Sequence, residues 1–206
     1  MTKEQAVQPK TVYQAVLCIH GVVLPPAELL EREPFKLPIG DGALKLHSPF
    51  QARKYWADNG FPEGEQSLLL YPRTDDEGYL APGTLLRRVR EIGECKLEPG
   101  LHAVGQLTSI RPDLGTMTLT IFPNVKAQLR APFRLPLQIS LEGIGMLPDV
   151  KEGLEVWADF KPKSGRLVVT KLRRVPLPQK GTWEKKPKRE KKPKRDPKAQ
   201  EESKAA

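Results

Sequence analysis

Residues 154–175, LEVWADFKPKSGRLVVTKLRRV, carry the reading on which the fold turns. Leu154, Val156, Ala158 and Phe160 alternate with Glu155, Trp157, Asp159 and Lys161, the period of two of a half-buried strand. Pro162, Lys163, Ser164 and Gly165 supply turn residues, and Arg166 to Arg174 is a second β-rich run. The stretch reads as a hairpin with Trp157 on the face turned away from the core. It closes on Leu172-Arg173-Arg174-Val175.

That closing word occurs once more, as Leu86-Arg87-Arg88-Val89, after an apolar run at Leu68 to Tyr71 and a turn-rich loop at Arg73 to Gly78. A second shared word stands upstream of each hairpin. Pro34-Phe35-Lys36-Leu37-Pro38-Ile39 matches Pro132-Phe133-Arg134-Leu135-Pro136-Leu137 with conservative changes. Two extended runs, Val12 to Leu24 and Leu101 to Ile110, precede these words. Three anchors in one order point to tandem duplication of a small β unit.

Residues 1–11 read as a disordered leader, 12–93 as the first unit, 94–100 as a hinge, 101–175 as the second unit and 176–206 as a disordered tail. In the first unit Pro25-Pro26 ends the opening run, because proline donates nothing to a ladder. Ala43 to His47 is a short strand. Ser48-Pro49-Phe50-Gln51 offers a capping serine, proline at the first helical position and a glutamine able to close a capping box. A helix is expected over 49–58, stopped by Asn59-Gly60. Gln66 to Tyr71 and Thr84 to Ile92 make the first hairpin. The second unit has expected strands at 101–110, 115–122, 136–142, 154–161 and 166–174. Met117, Leu119 and Ile121 face one way and Thr116, Thr118 and Thr120 the other, and residues 143–153 form a loop.

Five strands with a helix placed after the third is the order of the OB-type barrel, and the chain resembles a pair of such domains at the level of strand order. The resemblance implies an all-β protein: two small five-stranded OB-like barrels in tandem, one short helix in the first, and a disordered basic tail. The first unit departs from it by lacking a clear second strand.

Charge is unevenly placed along the 206 residues. Residues 179–206 hold nine Lys and two Arg against five acids and so carry a net +6 of the total +9. EKKPKR occurs twice there, at 184–189 and 190–195. Such a segment buries too little surface to fold and attracts polyanions. Two cysteines outside any CxxC spacing argue against a disulfide framework and suit a reducing cytoplasm. The apolar run Ala15 to Leu24 is too short to span a bilayer, and a soluble, cytoplasmic protein with no membrane partner is expected.

The candidate interface for nucleic acid, RNA or single-stranded DNA, has three parts. The tail offers Lys185, Lys186, Lys188, Arg189, Lys191, Lys192, Lys194 and Arg195 to phosphates, with Trp183 to stack or to dock the tail. The bland reading is a solubilising or localisation segment. The second hairpin offers Trp157 beside Lys161, Lys163, Arg166, Lys171, Arg173 and Arg174. Here too a bland reading stands level: Trp157 covers an interface, the arginines are solvated, and Glu155 and Asp159 oppose phosphate. The first hairpin offers Arg73, Arg87, Arg88 and Arg90 beside Tyr71 and Tyr79.

Metal ligands are scarce. Cys18 and His20 share a strand face and Cys95 and His102 add two donors, but the spacing is looser than structural zinc uses, so Cys18 reads as core and His20 as partly buried. GxxxxGK[ST], GxGxxG, GxSxG and HExxH are all absent, so neither an enzyme nor a cofactor is expected. The leading expectation is a non-catalytic nucleic-acid-binding protein. The alternative is a protein–protein adaptor or assembly factor built on tandem β domains.

Overall fold

A computed structural model describes residues 12–94, 97–123 and 131–178. The leader 1–11, Cys95, and the tail residues from 179 on, with Trp183 and the two EKKPKR words, lie outside the described residues.

The same order, three strands, a helix and two strands, occurs twice. The first set is β1 (Gln14–Gly21), β2 (Phe35–Ile39), β3 (Gly42–Leu46), α1 (Phe50–Asn59), β4 (Gln66–Tyr71) and β5 (Leu85–Glu91). The second is β6 (Gly100–Arg111), β7 (Thr116–Ile121), β8 (Phe133–Gln138), α2 (Leu141–Gly145), β9 (Gly153–Lys161) and β10 (Arg166–Val175). The missing second strand of the first set is β2. Pro34 before it and Pro38 within it disguise it, yet Phe35 and Leu37 point inward while Lys36 and Pro38 point out. In the second set α2 replaces the start of the expected loop, with Ser140 Oγ accepting from the Gly143 N–H at 3.1 Å. Strand β8 accordingly begins and ends earlier than 136–142.

Eight strands form one sheet in the order β5-β4-β1-β6-β7-β8-β10-β9, and β6 also pairs with β9. In the second set the pairings therefore run β6-β7-β8-β10-β9 and back to β6, through a single parallel pair at Val168 and Gln138. In the first set β2 and β3 pair with each other, joined to the rest by bridges Leu24–Lys36 and His47–Leu85. The LRRV words fall on equivalent strands, β5 and β10. The Pro-Phe-x-Leu-Pro words do not, since one is β2 and the other β8. They share an inward Phe/Leu alternation rather than a common place in the order.

The two sets pack as one body. Strand β1 pairs antiparallel with β6, and a single core cluster runs from Tyr13 through Leu70 and Leu119 to Leu167. Burying such a set of Leu, Ile and Phe side chains supplies the main folding drive, at about 25 cal/mol per Å2. The loop between β4 and β5 lies against the second set. Thr74 Oγ1 donates to the Pro136 carbonyl at 2.7 Å, and the Leu167 and Leu80 amides exchange bonds with the Gly78 and Gly165 carbonyls. Gly78 has φ +85°, and a Cβ there would sit 2.9 Å from the Gln138 amide nitrogen, so only glycine fits this approach.

Helix α1 ends at Gly60 as its sequence predicts, but its start differs. Pro49 takes the cap position, with its carbonyl accepting from the Ala52 and Arg53 amides, and the Ser48 hydroxyl is buried without a partner among the described residues. Buried Arg53 takes over the work of fixing this end. Its guanidinium donates to the carbonyls of Leu29, Glu31, Glu33 and Ser48, tying the β1–β2 connection to the helix.

Candidate nucleic-acid interface

Alternation along β9 places Leu154, Val156 and Ala158 in the core and turns Trp157 outward, half-buried. Its neighbours across the sheet then decide what it offers. Register pairs Trp157 with His102 on β6 and with Lys171 on β10. The imidazole stacks on the indole at 5.3 Å and 20°, and the Lys171 ammonium lies 5.0 Å from the ring centroid. The indole is engaged from both neighbouring strands.

The basic residues of this hairpin are largely neutralised. Arg173 binds Glu155, Lys161 binds Asp159 at 3.0 Å, Arg166 reaches Glu77 at 3.7 Å and Arg174 reaches Glu152 at 3.8 Å. Lys163 and Lys171 remain without an ion pair among the described residues. Exposed pairs such as these add little stability, but they cancel the near field that a phosphate would meet. Glu155 is the exception in burial, with a side chain only 12% exposed. It also accepts from His102 Nε2 at 2.9 Å, and Gln14 Nε2 on β1 meets His102 Nδ1 at 3.2 Å, so one polar chain crosses four strands. Burial by itself pushes the Glu155 carboxyl up; the hydrogen bonds from Arg173 and His102 outweigh it and hold the group below the ordinary carboxylate range.

Arg73 and Arg166 serve the contact between the two sets. The Arg73 guanidinium lies 3.7 Å over the Phe133 ring, and its loss of water pushes its own pKa down. Arg166 lies 4.3 Å over the Tyr79 ring. Cation–π contacts in partly desolvated places are worth roughly 0.5–2 kcal/mol each, so these two residues read as clamps. The outer face of β7 is closed as well: Thr116 and Thr118, on the face opposite Met117 and Leu119, are buried too.

Two basic surfaces keep their charge. The first is the outside of β2 and β3, where register sets Lys36 directly opposite Lys45, both exposed and neither in an ion pair among the described residues. Pro38 and Ala43 form a small apolar strip beside them. The second is β5. A one-residue irregularity there pairs Leu70 with Leu86 and Leu69 with Arg88, so Arg87 is extra and both arginines leave the core between buried Leu86 and Val89. With Arg90 they line a cleft of 510 Å3 shared with Gln51, Ala52, Tyr55 and Trp56 of α1.

Sequence reasoning finds Arg87, Arg88 and Arg90 but misses Lys36, Lys45 and Tyr55. The Gly40-Asp41 turn was the available signal for the lysines, because Lys36 and Lys45 are equidistant from it. Cys18 is buried in β1 as expected, whereas His20, expected partly buried, is exposed. Among the described residues no helix is long and apolar enough to cross a membrane. No protein-family model matches the chain, and no curated protein matches it in sequence.

Proposed function

We propose that this is a non-catalytic nucleic-acid-binding protein whose two strand sets are OB-type barrels, divided near residues 94–100. The ring of pairings β6-β7-β8-β10-β9 supports that reading of the second set, with its parallel third-to-fifth contact. The two bridges at Leu24 and His47 support the same reading of the first set. OB-type barrels hold single strands on the faces of their second and third strands.

The Lys36–Lys45 pair carries the functional reading. Like charges opposite each other on neighbouring strands cost stability, by roughly 0.2–1 kcal/mol. A polyanion lying across β2 and β3 repays that cost by releasing its counterions. The strip has no outward aromatic, so binding rests on phosphates, with limited sequence preference, and the basic tail adds encounter rate.

Fluorescence anisotropy with a labelled single-stranded oligonucleotide, repeated over several salt concentrations, tests this. Each phosphate contact contributes about 0.7 to the slope of log affinity against log salt for single strands, so K36Q/K45Q should lower the slope by about 1.4. An unchanged slope and affinity would contradict the assignment.

One observation favours a second reading, the protein adaptor. Leu141, Met146 and Val150, on α2 and the loop after it, are large apolar side chains exposed at 77%, 66% and 45%. Exposed apolar groups gathered within ten consecutive residues between β8 and β9 suit a protein partner. A partner captured through that segment, with no oligonucleotide bound, would favour it.

A further inference from the structure

We propose that the cleft between α1 and β5 is a binding site for a nucleoside 5′-monophosphate unit, supplied either as a free mononucleotide or as the phosphorylated end of a strand. It goes beyond the phosphate track on β2 and β3, and shares with that reading only the case of a strand end. The cleft measures 510 Å3, within the range of small-ligand sites.

Three kinds of group meet there. Arg87, Arg88 and Arg90 bring guanidinium groups to one rim; none is in an ion pair among the described residues, and Arg90 makes one bond, to the Glu94 carbonyl at 3.3 Å. Planar guanidinium groups suit the oxygens of a phosphate, two at a time. Among the described residues Glu94 is the one acid of the lining. On α1, Tyr55 is 63% exposed beside the cleft. It presents a face on which a base stacks, a contact worth roughly 1–3 kcal/mol. Gln51 supplies an amide that both donates and accepts, as a base edge requires.

The floor is rigid. Trp56 is buried and packed edge-on against Phe35 and Phe61 at 5.3 and 5.4 Å, so the base would meet a fixed apolar surface. The extra residue at Arg87 is what turns adjacent arginines outward on a strand whose period would otherwise send one of them into the core. A bare phosphate would leave Tyr55 and Gln51 unused, and an uncharged nucleoside would leave the arginines unused.

Isothermal titration of the full-length protein with adenosine 5′-monophosphate, adenosine and inorganic phosphate tests the site, with R87Q/R88Q and Y55A compared by circular dichroism for retained fold. The expected result is saturable binding of the monophosphate, at least tenfold tighter than of adenosine or phosphate. R87Q/R88Q should weaken it tenfold or more, and Y55A several-fold. A 5′-phosphorylated and a 5′-hydroxyl oligonucleotide of one sequence then separate the sources. A preference for the phosphorylated strand, lost in R87Q/R88Q, assigns the strand end; monophosphate binding with no such preference assigns the free nucleotide. No monophosphate binding together with equal affinity for both strands overturns the site while leaving the β2–β3 reading standing. Binding that R87Q/R88Q leaves unchanged overturns it too.

Discussion

Replacing Gly78 by alanine should destabilise the protein far more than the same change at Gly64. Both glycines have positive φ, +85° and +76°, so each substitution carries the same backbone cost, roughly 1–2 kcal/mol for an L residue. Around Gly64 no atom lies within 4 Å of the new Cβ, and the cost ends there. At Gly78 the Cβ would stand 2.9 Å from the Gln138 amide nitrogen and 3.4 Å from the Leu137 carbonyl carbon, main-chain atoms that a side-chain rotation cannot move. The β4–β5 loop must lift from β8. Lifting it releases three bonds: Leu167 N–H to Gly78 O at 3.0 Å, Leu80 N–H to Gly165 O at 2.8 Å and Thr74 Oγ1 to Pro136 O at 2.7 Å. At about 1 kcal/mol per bond, the total for Gly78→Ala is about 4–5 kcal/mol against about 1–2 for Gly64→Ala. Urea unfolding of both variants gives the comparison directly. Equal losses would show that the loop does not clamp the two strand sets together.

Other outcomes follow from the same geometry. Glu155 has its folded pKa below its ordinary value, so the unfolded chain binds the proton more readily; the stabilisation is present above about pH 4.3 and is lost as pH falls through the folded value. Glu155→Gln should therefore flatten the acid side of the stability profile below the ordinary carboxylate range, measured by urea midpoints across pH; a profile like the wild type's would discount the Arg173–Glu155–His102 chain. Lys36→Glu should raise stability by roughly 0.2–1 kcal/mol while weakening oligonucleotide binding, a trade visible in paired denaturation and anisotropy series. Equal binding would divorce the like-charge pair from function. Deleting residues 179–206 should weaken oligonucleotide binding and flatten its salt dependence; identical curves for the two lengths would remove the tail from the mechanism.

Local pattern explains what the sequence reveals. The β9–β10 hairpin needs only its alternation and its Pro-Lys-Ser-Gly turn, and both ends of β4 follow from an apolar run between turn residues. The end of α1 follows from Asn59-Gly60. Strand β2 is hidden because proline reads as a strand breaker, although Pro38 sits opposite Ala43 in a two-stranded piece where a missing donor costs little. The polar chemistry is hidden for another reason. Glu155 meets Arg173 18 residues away and His102 53 residues away, and Arg73 meets Phe133 across the two sets, so these partners are set by tertiary register alone. Hence Lys161, Arg166, Arg173 and Arg174, which look free in one dimension, turn out to be paired. Lys36 and Lys45, separated by a turn, turn out to face each other.

Hydrogen-exchange mass spectrometry of the full-length protein, with and without a 5′-hydroxyl single-stranded oligonucleotide at low salt, tests the central claim most directly. Slowed exchange across residues 35–46, with residues 153–175 unchanged, is the predicted result. Protection confined to residues 153–175 or to residues 141–150, or none at all, would contradict it.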